Sequence, residues 1–416
     1  MVIARVPRSS HVDTEERVSV VPSGSAESGR LRGRDLLSAG ARISVELAPL
    51  IVPERETVVR AVRELIGKGA AARAGRTFRG ARWSYDPESL DAQAERMVRA
   101  LPVGFTGDEG LPRLREAAPA DLPFVVFLGE DRASLCIDHR LGDGFLSVML
   151  TAGALAGRGA PAVFASADDR DPLPSALAAT YGQHLDRVGA LLRDRWNDHR
   201  PAYEGPTVAA DRGGLDLVTG TMDSTTFRDL ADWSKGRVPP TLALMFALRE
   251  ALRRSGIPVM DTGAILVDLR RYLPSGRSTL ANFVVGHPVV VDGGIDAAGA
   301  RFQQDIHVGR PLAALTSGLL TRGWRRRAPR TVPAAAGPIV SDMGFLRALE
   351  PLPWASDDPV VRVSVDPAAR NGITALTAVL RHRLNISMSF DGSLWPRDAV
   401  AAACDLLRHD PKGLLQ

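Results

Sequence analysis

The sequence predicts an α/β chain of two similarly sized lobes. Three observations carry this expectation. The length, 416 residues, exceeds what one compact core usually organises. Short apolar runs bounded by Gly, Pro and Asp alternate with stretches whose apolar residues recur at helical spacing. A polar, Pro/Gly-containing segment, "NDHRPAYEGPTVAADRGG" at 197–214, interrupts the pattern near the middle. Lobes at 1–205 and 206–416 are therefore expected. Hydrophobic residues at 45% and charged residues at 24% fit a globular protein with a sizeable core.

Taken in order, residues 8–30 are polar and Gly/Ser-rich and read in part as an arm or loop. Helices are expected over 56–75 and 88–102. The runs 123–128 and 133–137 flank Gly129-Glu130-Asp131-Arg132 and predict a β-hairpin. "FLSVMLTAGALAG" reads as a buried helix ending at Gly157, and 174–196 as another helix. The second half predicts a strand at 215–222, helices at 225–235 and 240–255, and strands at 263–269 and 282–291. An Arg/Pro/Ala-rich connection follows at 321–337, then strands at 359–365, 373–380 and 383–390 and a closing helix at 396–408. There is no short-period repeat.

Composition excludes several classes of function. The net charge is +4, nearly all the basic residues are arginine, and no basic stripe with interleaved aromatics occurs, so nucleic acid is not expected as a partner. No run of 18 apolar residues occurs, so no membrane span is expected. The first residues lack the apolar stretch of a signal peptide, which makes a cytoplasmic location the expectation. Cys136 and Cys404 are too few for a disulfide framework. HExxH, paired CxxC and EF-hand patterns are absent, so no metal motif is found. The GxSxG elbow of serine hydrolases is missing too.

The most informative stretch is "CIDHRLGDGFLSVML" at 136–150. A histidine at a strand end, in a glycine-flanked loop, can reach a cleft while its backbone stays anchored. Imidazole titrates near neutrality and can take a proton from an attacking hydroxyl or amine. The same spacing also fits a surface histidine in a turn, with Asp143 capping the next helix. Within this motif, "DHRLGDG" resembles the HHxxxDG signature of the condensation-domain and CoA-dependent acyltransferase superfamily. His139, Asp143 and Gly144 match that signature, while Asp138 replaces its first histidine. Further segments are similar in the family's order: "VDLRRYLP" at 267–274, "LANFVVG" at 280–286 with Ala281 for Gly, "IVSDMGFL" at 339–346 with Asp342 for Asn, and "LNISMSFDGSLWPRDAV" at 384–400.

The resemblance implies two chloramphenicol-acetyltransferase-like lobes forming a pseudo-dimer around a tunnel. It implies an acyltransferase that moves an acyl group from a thioester donor to a hydroxyl or amine of a small-molecule acceptor, in polyketide or nonribosomal peptide biosynthesis. The donor would be carried by coenzyme A or by the phosphopantetheine arm of an acyl or peptidyl carrier protein. No permanently bound cofactor is implied, and a monomer is expected. His139 would be the general base, with backbone N–H groups near Gly144 holding the oxyanion. Asp143 would be structural and paired with Arg270, with Arg271 as the fallback. Asn282, Ser341 and Asp342 would line the tunnel, and Asp138, beside His139, would stabilise an imidazolium. "TRGWRRRAPR" at 321–330 could dock the donor through Arg325, Arg326 and Arg327, or be a solvated connector. Two alternatives stay open: a catalytically inactive recruitment platform, and a heterocyclisation enzyme, for which Asp138 and Asp143 have the spacing but Ser147 falls one residue late.

Overall fold

The computed structural model describes residues 25–157, 161–165, 170–197, 203–209, 211, 213–291, 293–321 and 331–416. Two mixed sheets organise it. The first has five strands in the order Val360–Val365, Arg42–Ala48, Ala133–Asp138, Phe124–Leu128, Val98–Ala100. The second has six, in the order Val284–Val290, Thr262–Asp268, Gly337–Phe345, Gly372–Leu380, Arg383–Asp391, Leu215–Met222. Each sheet has its own apolar core. One cluster gathers around Leu47, Leu65, Phe124, Phe127 and Leu146, the other around Leu248, Phe283, Ile386 and Phe390.

The halves interlock. Val360–Val365 comes from the second half of the chain but pairs antiparallel with Arg42–Ala48 and completes the first sheet. Its backbone is also held from the second sheet: Asn385 Oδ1, Ser387 Oγ and Ser389 Oγ accept from the N–H groups of Val361, Val363 and Val365 at 3.2, 3.0 and 3.2 Å. These polar residues are buried, which explains why a strand reading "LNISMSFD" can lie in a core.

The hairpin forms as Phe124–Leu128 and Ala133–Asp138. The helix expected at 56–75 stops earlier, at Ile66, because Gly67 and Gly69 follow; Gly69 adopts φ +91° and a separate short turn covers Ala70–Ala72. The helix expected over 88–102 ends at Met97 and passes straight into the edge strand Val98–Ala100. The one expected over 174–196 is two, Pro172–Tyr181 and Leu185–Asn197, divided at Gly182. Glu27–Arg30 is a strand, in a small sheet with Arg82–Tyr85 and Thr77–Arg79. Among the described residues, no helix is long and apolar enough to cross a membrane.

Candidate active site

The helix Gly144–Leu155 is apolar almost all round and most of it is buried, as a helix wedged into a core must be. The loop 139–143 delivers the chain from the strand Ala133–Asp138 to its start, and several contacts fix that loop. His139 N–H donates to the Ala41 carbonyl at 3.0 Å and Leu141 N–H to the Asp138 carbonyl at 2.9 Å. Arg73, buried and in a left-handed conformation at φ +68°, donates from Nε to the Leu141 carbonyl at 2.6 Å and from Nη2 to the Arg140 carbonyl at 3.0 Å. Gly142 is required for packing: a Cβ there would lie 2.6 Å from the Leu280 carbonyl oxygen.

The His139 ring is half-buried, with Nδ1 2.9 Å from the Gly142 carbonyl and 3.3 Å from Asn282 Nδ2. These contacts make opposite demands on the Nδ1 proton. The carbonyl can only accept and lies closer, so it decides: Nδ1 carries the hydrogen, and in the neutral ring Nε2 holds the free lone pair. The oxygen and nitrogen of the Asn282 amide are assigned by such networks, and turning it over would let its oxygen share the same hydrogen. Asn282 also reaches Ser38 Oγ at 2.8 Å, tying the second half of the chain to the residue following the short helix Gly33–Leu37.

Asp138 does not turn its carboxylate to His139. Both of its oxygens are taken by Arg140: Oδ1 accepts from the Arg140 backbone N–H and Nε, each at 2.9 Å, and Oδ2 from Nη2 at 2.6 Å. The expected direct stabilisation of an imidazolium is replaced by an ion pair next to it. Arg140 stacks on Phe78 and donates to the Gly80 carbonyl, so the pair joins the loop to the hairpin 77–85.

Asp143 is saturated. Its Oδ1 accepts from Phe145 N–H at 3.2 Å, capping the helix, and from Arg270 Nη2 at 3.1 Å; Oδ2 accepts from Arg270 Nη1 at 2.9 Å and Phe283 N–H at 3.0 Å. Arg270 is saturated as well. Its remaining donors go to the carbonyls of Thr279 at 2.9 Å and Ala281 at 3.0 Å and to Asp268 at 3.1 Å. Burial works against the Arg270 charge, but Asp143 and Asp268 more than offset it and raise its pKa above the ordinary arginine value. All five guanidinium donors and all four lone-pair positions of the carboxylate are used, leaving neither group a position for substrate.

Ser341 and Asp342 lie on the strand Gly337–Phe345, paired with Leu376 and Thr377. Asp342 accepts from Thr241 Oγ1 at 3.2 Å, Thr377 Oγ1 at 3.1 Å and Gly344 N–H at 3.0 Å. The neighbouring Met343 faces the start of the helix 144–155, where a Cβ on Gly144 would meet its Sδ at 2.6 Å. Arg325, Arg326 and Arg327 lie outside the described residues, as do His199 and Asp198. His382 sits in the turn between the strands Gly372–Leu380 and Arg383–Asp391. His287 pairs with Asp305 at 2.9 Å and lines a water-sized cavity of about 20 Å³ that His139 does not line. Among the described residues, no three His, Cys, Asp or Glu side chains gather as a metal would require. A larger cavity of about 190 Å³ lies between Gly40, Leu215, Phe390 and the ion pairs Arg115–Asp366 and Arg370–Asp391.

Arg73, Arg140, Ser38 and Met343 were not singled out from the sequence. Arg140, inside the motif itself, and Met343, inside the segment 339–346, had a positional signal.

No family model matches the chain, and no curated protein matches it by sequence. Solved structures do. The trichothecene 15-O-acetyltransferase TRI3 from Fusarium sporotrichioides is similar with a TM-score of 0.63 at 12% identity, over 95% of this chain and 99% of that one. The cyclization-docking bidomain of the nonribosomal peptide synthetase EpoB from Sorangium cellulosum gives 0.63 at 14%, over 97% and 87%. The first condensation domain of the calcium-dependent antibiotic synthetase gives 0.56 at 15%, over 93% and 97%. The chain has the condensation-domain and CoA-acyltransferase fold. Identities this low speak for the fold.

Proposed function

We propose that the protein is an acyltransferase that moves an acyl group from a phosphopantetheine or coenzyme A thioester to a hydroxyl or amine of a small acceptor in specialised metabolism. The observation that carries this reading is the His139 ring, whose Nδ1–H is committed to the Gly142 carbonyl on a loop locked by Asp143, Arg270 and Arg73. Such a ring presents its basic Nε2 in one orientation.

In this reading the acceptor's oxygen or nitrogen attacks the thioester carbonyl carbon while Nε2 takes its proton. The negative charge that forms on the carbonyl oxygen meets the first N–H groups of the helix 144–155, which have no partner within the helix apart from the Asp143 cap on Phe145. Collapse breaks the carbon–sulfur bond, and the proton held on His139 passes to the departing thiolate. Asp143 and Arg270 do no chemistry; they hold the loop. Asn282, on a different segment, keeps the His139 ring in register with the second half of the chain. Donor docking at Arg325, Arg326 and Arg327 belongs to the same reading and rests on the charge of that segment alone. So do the monomeric state and the carrier-protein partner, which rest on the fold.

The test pairs coenzyme A and carrier-protein thioesters with panels of alcohols and amines, reading products by mass spectrometry. Wild type should form an ester or amide, and His139→Ala should lose about 100- to 10,000-fold in rate with its unfolding curve unchanged. A His139→Ala protein that keeps full transfer activity overturns the assignment.

A further inference from the structure

We propose that Met343 is a movable gate that limits the length of the acyl group accepted at His139 and Gly144. The inference rests on the acyltransferase reading above and deepens it.

If the oxyanion is held at the first N–H groups of the helix, the carbonyl carbon lies beside Gly144 and the acyl chain must leave from there. That space already has an occupant. A Cβ built on Gly144 would lie 2.6 Å from Met343 Sδ and 2.7 Å from its Cε, so the end of the methionine side chain lies directly against the glycine. The side chain is half-buried and comes from a strand of the second sheet, yet it packs on the core of the first.

The strand is shaped to deliver it. Between Asp342 and Phe345 the chain advances three residues while its partner advances two, from Thr377 to Val379, which is a bulge. Gly344 takes a left-handed conformation at φ +62°, and Asp342 fixes the turn with its bonds to Gly344 N–H, Thr241 and Thr377. A bulge re-aims a side chain, and here the re-aimed residue is Met343. Its unbranched, polarisable side chain fills the space yet can rotate away, which a branched residue could not do as easily. Short acyl groups therefore fit with Met343 in place. Longer ones must displace it and lose its contacts with Gly144, so binding weakens as the chain grows.

The probes are pantetheine ketones, in which a methylene separates sulfur from the carbonyl, with alkyl groups from methyl to heptyl. They need no acceptor and cannot be turned over. Binding is read by NMR of protein labelled at methionine methyls and histidine rings, with the Met343 signal assigned through Met343→Leu. In wild type, affinity should fall about tenfold or more from the methyl to the heptyl ketone, and the Met343 signal should move with the longer ones. Met343→Ala should bind all lengths alike, and Met343→Val serves if the alanine variant unfolds. Ketones that shift the His139 signal but show the same length dependence in wild type and variant overturn the gate alone. Ketones that shift the His139 signal in neither protein overturn the thioester reading, and the gate with it.

Discussion

Asp138 and Asp143 stand on either side of His139, both only 3% exposed and both held by an arginine. They differ in where that arginine comes from. Asp138 takes Arg140, two residues away on the same loop, whereas Asp143 takes Arg270, 127 residues away in the second half of the chain. A pair closed within one loop shapes that loop and tolerates loss, because Arg140 keeps the Gly80 carbonyl and the Phe78 ring. A pair closed across the molecule is buried to the same degree but holds two distant segments together. When it is lost, a buried carboxylate misses two of its four bonds, or a buried guanidinium two of its five, with nothing to replace them. Flanking a histidine symmetrically in sequence therefore does not give two carboxylates the same role.

The largest expected effect comes from the distant pair. Asp143→Ala and Arg270→Ala should each cost about 3–5 kcal/mol, and the double variant should cost well under their sum, measured by chemical denaturation as a double-mutant cycle. Strict additivity, or an Asp143→Ala protein as stable as wild type but inactive, would move Asp143 from scaffold to chemistry. Asp138→Asn and Arg140→Ala should lie near 1 kcal/mol each, with faster limited proteolysis of the hairpin 77–85 in Arg140→Ala. A cost for Asp138→Asn equal to that for Asp143→Ala would erase the distinction between the two.

The smallest effect is a pH handle on a third buried carboxylate. Burial alone would raise the Asp391 pKa, but bonds from Ser393, Gly213 N–H and Arg370 outweigh it and hold the value below the ordinary carboxylate range. A depressed folded pKa means stability that is present above the unfolded value, about 3.9, and is lost as pH falls through the lower folded one. Asp391→Asn should therefore remove about 0.5 kcal/mol at neutral pH and flatten the acid limb of the stability curve below pH 4. An unchanged limb would mean that other carboxylates dominate acid unfolding.

Much of this was legible in the sequence, and the failures have physical reasons. The run "AILVDL" points to a core strand, and a charge just past its end has to be paired, which is where Arg270 is found. The orientation of Asp138 was not legible, because adjacency to His139 in sequence says nothing about which way a strand-end side chain turns. The alternation of Ile43, Val45 and Leu47 is legible as a strand. Its intervening Ser44 and Glu46 are buried too, since both faces of that sheet are covered. Gly337–Phe345 carries Gly, Pro, Ser and Asp, residues that weaken a strand signal, and only the neighbouring strands reveal that its bulge aims Met343.

The strand Val360–Val365 sets a condition on how the protein can be made. Residues 42–48 leave the ribosome early, but the strand that covers their outer edge follows more than three hundred residues later. At ordinary rates of translation that wait is on the order of tens of seconds. For all that time the first sheet presents an open row of N–H and C=O groups carried by Ser44, Glu46 and Ala48, the template on which strange chains pair and aggregates begin. The newborn half must be shielded until its last strand arrives. For the same reason, a gene cut near its middle would yield a first fragment that never acquires its border.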